Sequence, residues 1–238
     1  MKFKWNYIKG GALLIIIVFL YSFANERNEG RIVSKINIAF LDKNDLFITY
    51  PAVNKLLIQN DDTVTSITKE KVVLNKLEAA LNANQMIQEA HVYYTINGEL
   101  GATVKQRTPI ARVGGETPYY IDIKGGAMPL SPVFSARVPL VTGKYEKDNI
   151  DNVYKLAKYI YEDPFLNKNV IGIHRSKDQF ELRLRADSFI INFGKAANID
   201  EKFKNFKAFY QKALKDGTLD IYNTVNLQYN NQVVCTKK

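Results

Sequence analysis

The sequence predicts an α+β protein tethered by one membrane-spanning helix near its N-terminus, and three observations carry that expectation. An uncharged apolar run, Gly10 to Ala24, follows a start whose only charges are Lys2, Lys4 and Lys9. Beyond it, stretches that alternate apolar and polar residues mix with stretches that repeat at helical spacing. The composition, 46% hydrophobic and 24% charged, belongs to a chain that can bury a core. At 238 residues there is room for one or two domains. The net charge of +9 is spread along the chain, with no arginine cluster among aromatics, so a nucleic-acid surface is not indicated. With a single cysteine, Cys235, no intrachain disulfide can form. Its setting in Val233-Val234-Cys235 reads as a small apolar strand residue.

The charge-free run covers about 22 Å as a helix, short of a hydrocarbon core of about 30 Å. Trp5 and Tyr7 as interfacial aromatics and a snorkelling Lys9 extend it to about 20 residues, which is enough to span. A cleaved leader has the same charged start and apolar centre, and Ser22-Phe23-Ala24 offers a small-x-small exit. Either way Lys2, Lys4 and Lys9 stay inside, and everything after Ala24 crosses the membrane. The expected parts are a cytoplasmic tail (1–9), a transmembrane helix (10–24) and a linker (25–31).

From Ile32 to Phe40 the chain alternates, with Ile36, Ile38 and Phe40 on one face, which predicts a half-buried strand. Tyr50 to Ile58 follows as a helix, with Pro51 in its first turn and Val53, Leu56 and Leu57 at helical spacing. After a polar loop through Asp61 and Asp62, Thr68 is the expected N-cap of a second helix carrying Val73, Leu74, Leu77, Ala80 and Leu81. His91 to Ile96 and Leu100 to Lys105 are rich in β-branched and aromatic residues and flank Asn97-Gly98, a hairpin signal. The order is strand, helix, helix, strand, strand.

The later chain begins with Tyr119 to Leu130, two strand-like pieces around Gly125-Gly126, where a tight turn can take positive φ. Pro132 and Pro139 place their neighbourhoods at edges or loops. A helix is expected from about Asn149 to Glu162, with Ile150, Val153, Tyr154, Ala157, Ile160 and Tyr161 buried and Pro164 as its stop. Strands Val170 to His174, Phe180 to Arg185 and Ser188 to Phe193 follow. A helix from Asp200 to Lys215 is capped by Asp200, lined by Ile199, Phe203, Phe206, Tyr210, Ala213 and Leu214, and ended by Gly217. The chain closes on Thr224 to Cys235, with Val225, Leu227 and Tyr229 on one face and Asn230-Asn231 as a two-residue turn.

No constellation of catalytic chemistry stands out. The two histidines, His91 and His174, lie far apart in strand-like runs, and there is no metal-ligand spacing, Gly-x-Ser-x-Gly or phosphate loop. The paired acids Asp61-Asp62 sit in a polar loop. The expectation is a protein that is not an enzyme and has no catalytic, cofactor or metal residues.

The strand-helix-helix-strand-strand order resembles a POTRA domain, a module that typically binds polypeptides. Val104-Lys105-Gln106-Arg107-Thr108-Pro109-Ile110-Ala111-Arg112 resembles the segment ending that domain in FtsQ/DivIB cell-division proteins, with Gln106 where a carboxylate is common. Tyr119 to Leu130, Val138-Pro139-Leu140-Val141-Thr142-Gly143, the Gly194-Lys195 strand end and the closing Val225-x-Leu227-x-Tyr229 run resemble the second domain of the same family. The ending Asn-Gln-Val-Val-Cys is similar to its Bacteroidetes-like branch. The resemblance implies a POTRA domain over 32–113 and an FtsQ/DivIB-type β domain over 114–238, built from an antiparallel sheet and two helices. It further implies a divisome scaffold in the inner membrane at the septum, N-terminus in the cytoplasm and remaining domains in the periplasm. Its partners would be a coiled-coil FtsB/DivIC-type protein and an FtsL-type protein, with no nucleic acid or small substrate. The partner would add a strand beside the closing strand at Asn226, Leu227, Gln228 and Tyr229, with Gln228 where the family often has Arg. The runner-up is a POTRA-bearing component of polypeptide translocation or outer-membrane assembly.

Overall fold

The computed structural model describes residues 5–29, 35–41, 46–58, 74–95, 98–143, 150–229 and 232–238. Its first helix, α1, spans Trp5–Glu29, longer than the expected 10–24 and running through most of the expected linker. A helix of 25 residues is about 37 Å long, more than the hydrocarbon core requires. Leu13, Ile15, Ile17 and Phe19 are all more than half exposed, which makes α1 a candidate membrane anchor. The helix is long and apolar enough to cross a membrane.

The chain divides into two compact units, Met1–Gln106 and Arg107–Lys238. In the first, β1 (Ile36–Phe40) is followed by α2 (Tyr50–Ile58), α3 (Leu74–Asn82), β2 (Ile87–Tyr94) and β3 (Leu100–Gln106). The expected order is therefore the observed one. Thr68, Val73, Asp61, Asp62 and Asn97 lie outside the described residues. The sheet order is β1-β3-β2: the hairpin pairs β2 with β3 antiparallel, and β1 lies parallel to β3 because two helices carry the chain back. Val53, Leu57, Leu81, Ala90, Val92, Leu100, Ala102 and Val104 are buried together as its core. Gln106 is buried at the end of β3, and its Oε1 accepts from the backbone N–H of Phe47 at 2.7 Å and of Ile48 at 3.2 Å. That acceptor is what a carboxylate would also supply.

The second unit begins earlier than the expected boundary at residue 113. Strand β4 (Pro109–Val113) pairs with β5 (Tyr119–Asp122) and with β7 (Leu140–Gly143), not with the first sheet. The remaining elements are β6 (Ala127–Pro129), α4 (Ile150–Glu162), α5 (Pro164–Asn169), β8 (Val170–Ser176), β9 (Gln179–Leu184), β10 (Ile190–Gly194), α6 (Ile199–Lys215), β11 (Tyr222–Asn226) and β12 (Val234–Lys237). They build one nine-stranded sheet in the order β12-β11-β10-β9-β8-β7-β4-β5-β6. The sheet is mixed rather than antiparallel: β4–β7, β7–β8 and β10–β11 are parallel, each joined by a crossover.

Register shows why one face is dry. Val113, Val141, Ile173, Leu182, Ile191 and Val225 are successive partners across six strands, and every one is buried. The helices α4 and α6 bury Val153, Leu156, Ala157, Ile160, Phe203 and Phe206 in the same cluster. Leu156 belongs to that stripe although the expected list lacks it. The next row along the strands (Arg112, Leu140, Gly172, Arg183, Ile190 and Thr224) occupies the opposite face.

Two helix boundaries differ from expectation. Pro164 stops α4 only by starting α5, where Asp163 is the N-cap, accepting from the N–H groups of Phe165 and Leu166. The N-cap of α6 is Asn198 in the left-handed region, not Asp200. Asp200 sits in the first turn, accepting from the Tyr159 hydroxyl at 2.8 Å and pairing with Lys204. Leu214 is 60% exposed and does not line the helix core. Gly217 takes φ +65° and ends the helix as expected.

Helices α5 and α6 are joined by the rings of Phe165, Phe206 and Tyr210 and by an ion pair. Lys207 Nζ lies 2.6 Å from Asp163 Oδ2. Burial alone would push the Asp163 carboxyl up, but Lys207 and the backbone N–H groups of Leu166 and Phe165 outweigh it and hold its pKa below the ordinary value. A depressed carboxyl stabilises the fold fully above its unfolded pKa of about 4 and loses that contribution as pH falls through the folded value. Asp163→Asn keeps the cap acceptor and removes the charge. Its stability against urea should approach the parent's as pH falls below the depressed folded-state pKa and fall short of it near pH 7; a constant offset across that range would contradict this. In the sheet, Gly143 takes φ +106° and a Cβ there would clash with the Arg175 carbonyl oxygen. Gly143→Ala should cost at least about 2 kcal/mol in urea unfolding.

Candidate functional site

The described residues offer little acid–base chemistry to assemble. His91 is exposed beside Glu89 at 3.3 Å, and His174 Nδ1 lies 2.9 Å from Thr142 Oγ1. Among the described residues no group of three or more His, Cys, Asp or Glu could hold a metal ion. Candidate interaction surfaces are the edges of the nine-stranded sheet, which among the described residues are β6 and β12. Strand β6 is three residues long and ends at Pro129, which cannot donate. Strand β12, Val234–Lys237, is the better edge.

The four residues singled out from the sequence do not line it. Asn226 lies in β11, flanked by Asn192 of β10 and Val234 of β12. The N–H of Leu227 donates to the Asn192 carbonyl at 2.9 Å, and its side chain is 1% exposed, part of the core. Gln228 donates its N–H to Asn226 Oδ1 at 2.9 Å in a local turn, and its side chain covers Gly194. Tyr229 is 52% exposed. Asn226 is thus paired on both sides, whereas Leu227, Gln228 and Tyr229 lie beyond the end of β11, and the outer strand of this part of the sheet is β12. The connection from β11 to β12 runs from Leu227 to Val233, wider than a two-residue turn. Asn230 and Asn231 themselves lie outside the described residues.

Alternation identifies the outward groups of β12. The N–H of Leu227 points to β10, so the backbone groups of Thr224 and Asn226 point to β12. Their partners there are Thr236 and Val234. The N–H of Lys238 donates to the Ile221 carbonyl, keeping the same phase. The N–H and C=O groups of Cys235 and Lys237 therefore face away from the sheet. The Cys235 side chain faces its partner Val225 and packs against the core, where burial pushes the thiol pKa up. It behaves as an apolar strand residue, not as a thiolate. Val234 and Thr236 lie exposed on the open face of the sheet. The signal for this edge was present in the two terminal lysines, since lysine commonly guards an exposed strand.

Comparison with known families agrees with this division of the chain. A family model described as FtsQ/DivIB, C-terminal related, matches residues 108–236, and one described as a POTRA-like domain matches residues 31–105. No curated protein matches.

Leu227 and Tyr229 should separate on substitution. Leu227→Ala removes buried methyl groups and should cost about 2–5 kcal/mol in denaturant unfolding. Tyr229→Ala should stay within about 0.5 kcal/mol of the parent. Equal losses at both positions would mean that Tyr229 is also core.

Proposed function

Since the chain belongs to the FtsQ/DivIB family, a family of non-enzymatic cell-division proteins that act through protein–protein interactions, we propose that it is a membrane-anchored divisome scaffold. It recruits a coiled-coil protein of the FtsB/DivIC type, itself held by an FtsL-type partner, by letting that partner add a strand to the sheet edge at β12. The observation that supports this reading is the position of β12. It closes a large, well-packed sheet yet leaves the backbone groups of Cys235 and Lys237 facing outward. An edge of that kind pairs with an extended segment through its main chain and selects it through alternate side chains. Asn226, Leu227, Gln228 and Tyr229 then act behind the edge: the first two hold β11 in register, and Tyr229 remains exposed near the loop that leads to β12.

The anchor completes the role. With Lys2, Lys4 and Lys9 on the cytoplasmic side, α1 crosses the inner membrane once and both folded units stand in the periplasm. Confinement to the membrane plane raises the effective concentration toward other anchored division proteins at the septum.

A proline at an outward-facing position removes a donor without touching the β11 ladder. Cys235→Pro should lower co-purification of the FtsB/DivIC-type partner by at least about tenfold, equal to about 1.4 kcal/mol. Cys235→Ala, which trims only the side chain, should retain it, and both variants should unfold near the parent midpoint. Undiminished co-purification with a folded Cys235→Pro chain would refute strand addition at β12.

A further inference from the structure

One edge of the three-stranded sheet in the first unit is occupied by side chains instead of a strand. Strand β2 pairs with β3 on one side only. Along its other side, the Ala90 N–H donates to Asn82 Oδ1 at 2.8 Å, and Asn82 Nδ2 donates back to the Ala90 carbonyl at 3.3 Å. The Val92 N–H donates to Glu78 Oε2 at 3.0 Å. Both acceptors come from α3. Positions two apart on a strand are separated by about 6.8 Å. Positions four apart on a helix rise by about 6 Å. One turn of helix can therefore serve two successive outward positions of the strand. Asn82 answers the donor and the acceptor of one residue together, as a neighbouring strand would. Glu78 also wraps the edge: its other oxygen, Oε1, lies 3.9 Å from His91 Nδ1 on the exposed side of β2.

We propose that Asn82 and Glu78 form a gate that closes the β2 edge to strand addition. An extended polypeptide can pair there only by displacing three hydrogen bonds that the fold already makes. Its own bonds to Ala90 and Val92 would replace existing ones, leaving little net gain. The gate is a property of the first unit and stands apart from the reading of β12. Its consequence is selectivity. The chain carries a second strand edge of the right length, eight residues in β2, and holds it shut.

The test uses the full-length chain in lipid nanodiscs and, as probe, a labelled peptide with the sequence of β2 itself, Ile87–Tyr94. Glu78→Ala/Asn82→Ala should bind the peptide at least about tenfold more tightly than the parent by fluorescence anisotropy. Without peptide, amide exchange at Ala90 and Val92 should quicken by about tenfold or more. Glu78→Gln keeps an acceptor and should behave as the parent in both measurements. Should the double variant not fold, Asn82→Ala alone carries the test, read at the Ala90 amide and by the same peptide. The gate is overturned by a folded variant whose peptide affinity and exchange match the parent, or by a parent chain that binds the peptide as tightly as the variant.

Discussion

Each strand carries hydrogen-bonding groups along both of its sides, and a buried group left unanswered costs about 1–3 kcal/mol. The whole architecture can be read as the set of answers to that demand. Two crossing helices return the chain so that β3 is flanked by β1 and β2 in the first unit. Nine strands answer one another in the second, down to the Leu227 amide, which reaches the Asn192 carbonyl just past the end of β11. At β2 the answer comes from Asn82 and Glu78, and at β12 no further strand pairs with the outward groups of Cys235 and Lys237 among the described residues. Those two edges differ in that side chains of the same unit occupy the outward groups of β2, while Cys235 and Lys237 direct theirs away from the sheet.

The second sheet can afford an open edge because its interior is secured elsewhere. The buried row from Val113 to Val225 runs unbroken under α4 and α6, and Tyr159 stacks on Phe203 with ring centroids 5.2 Å apart. Burial, and then the hydrogen bond to Asp200, push the Tyr159 phenol up to about 12, so it stays neutral and donating at any physiological pH. At the start of the unit Arg107 pairs with Asp122, which is 3% exposed, at 2.7 Å. The same carboxylate accepts from the N–H groups of Lys124 and Gly126, closing the β5–β6 turn. These contacts lie away from β12 in the strand order, so loading that edge leaves them untouched.

Sequence pattern reached the elements whose causes are local. The βααββ order, the end of α6 at Gly217 and the buried alternation of Phe180, Leu182 and Leu184 follow from periodicity and turn chemistry within a few residues. It erred where two local meanings coincide or where the cause is distant. Pro164 both ends one helix and begins the next, and only the bonds from Phe165 and Leu166 to Asp163 decide. Period two in Val225, Leu227 and Tyr229 identifies faces but not neighbours. Whether that strand is an edge depends on where Val234 to Lys237 lands, and the register Asn226 to Val234 places it alongside. The parallel pairings of β7 with β8 and of β10 with β11 were likewise out of reach, because no local signal orders strands separated by a helix.

The size of the open edge limits how it can work. Strand β12 spans four residues, and alternation leaves two of them, Cys235 and Lys237, with outward backbone groups. That is at most about four hydrogen bonds, each worth about 1 kcal/mol net in water. Association in solution costs about 4 kcal/mol or more in lost motional freedom, so the backbone ladder alone would net about zero, an affinity on the order of molar or weaker. Two further contributions are available from this chain. Val234 and Thr236 present side chains on the open face beside the edge, where a docked segment can bury area. In the proposed role, helix α1 removes much of the motional cost beforehand, because two proteins anchored in one membrane meet at high effective concentration. On this accounting the anchor is part of the binding site in energetic terms. A soluble fragment lacking residues 5–29 should bind its anchored partner far more weakly than the full chain, even with every contact at β12 intact.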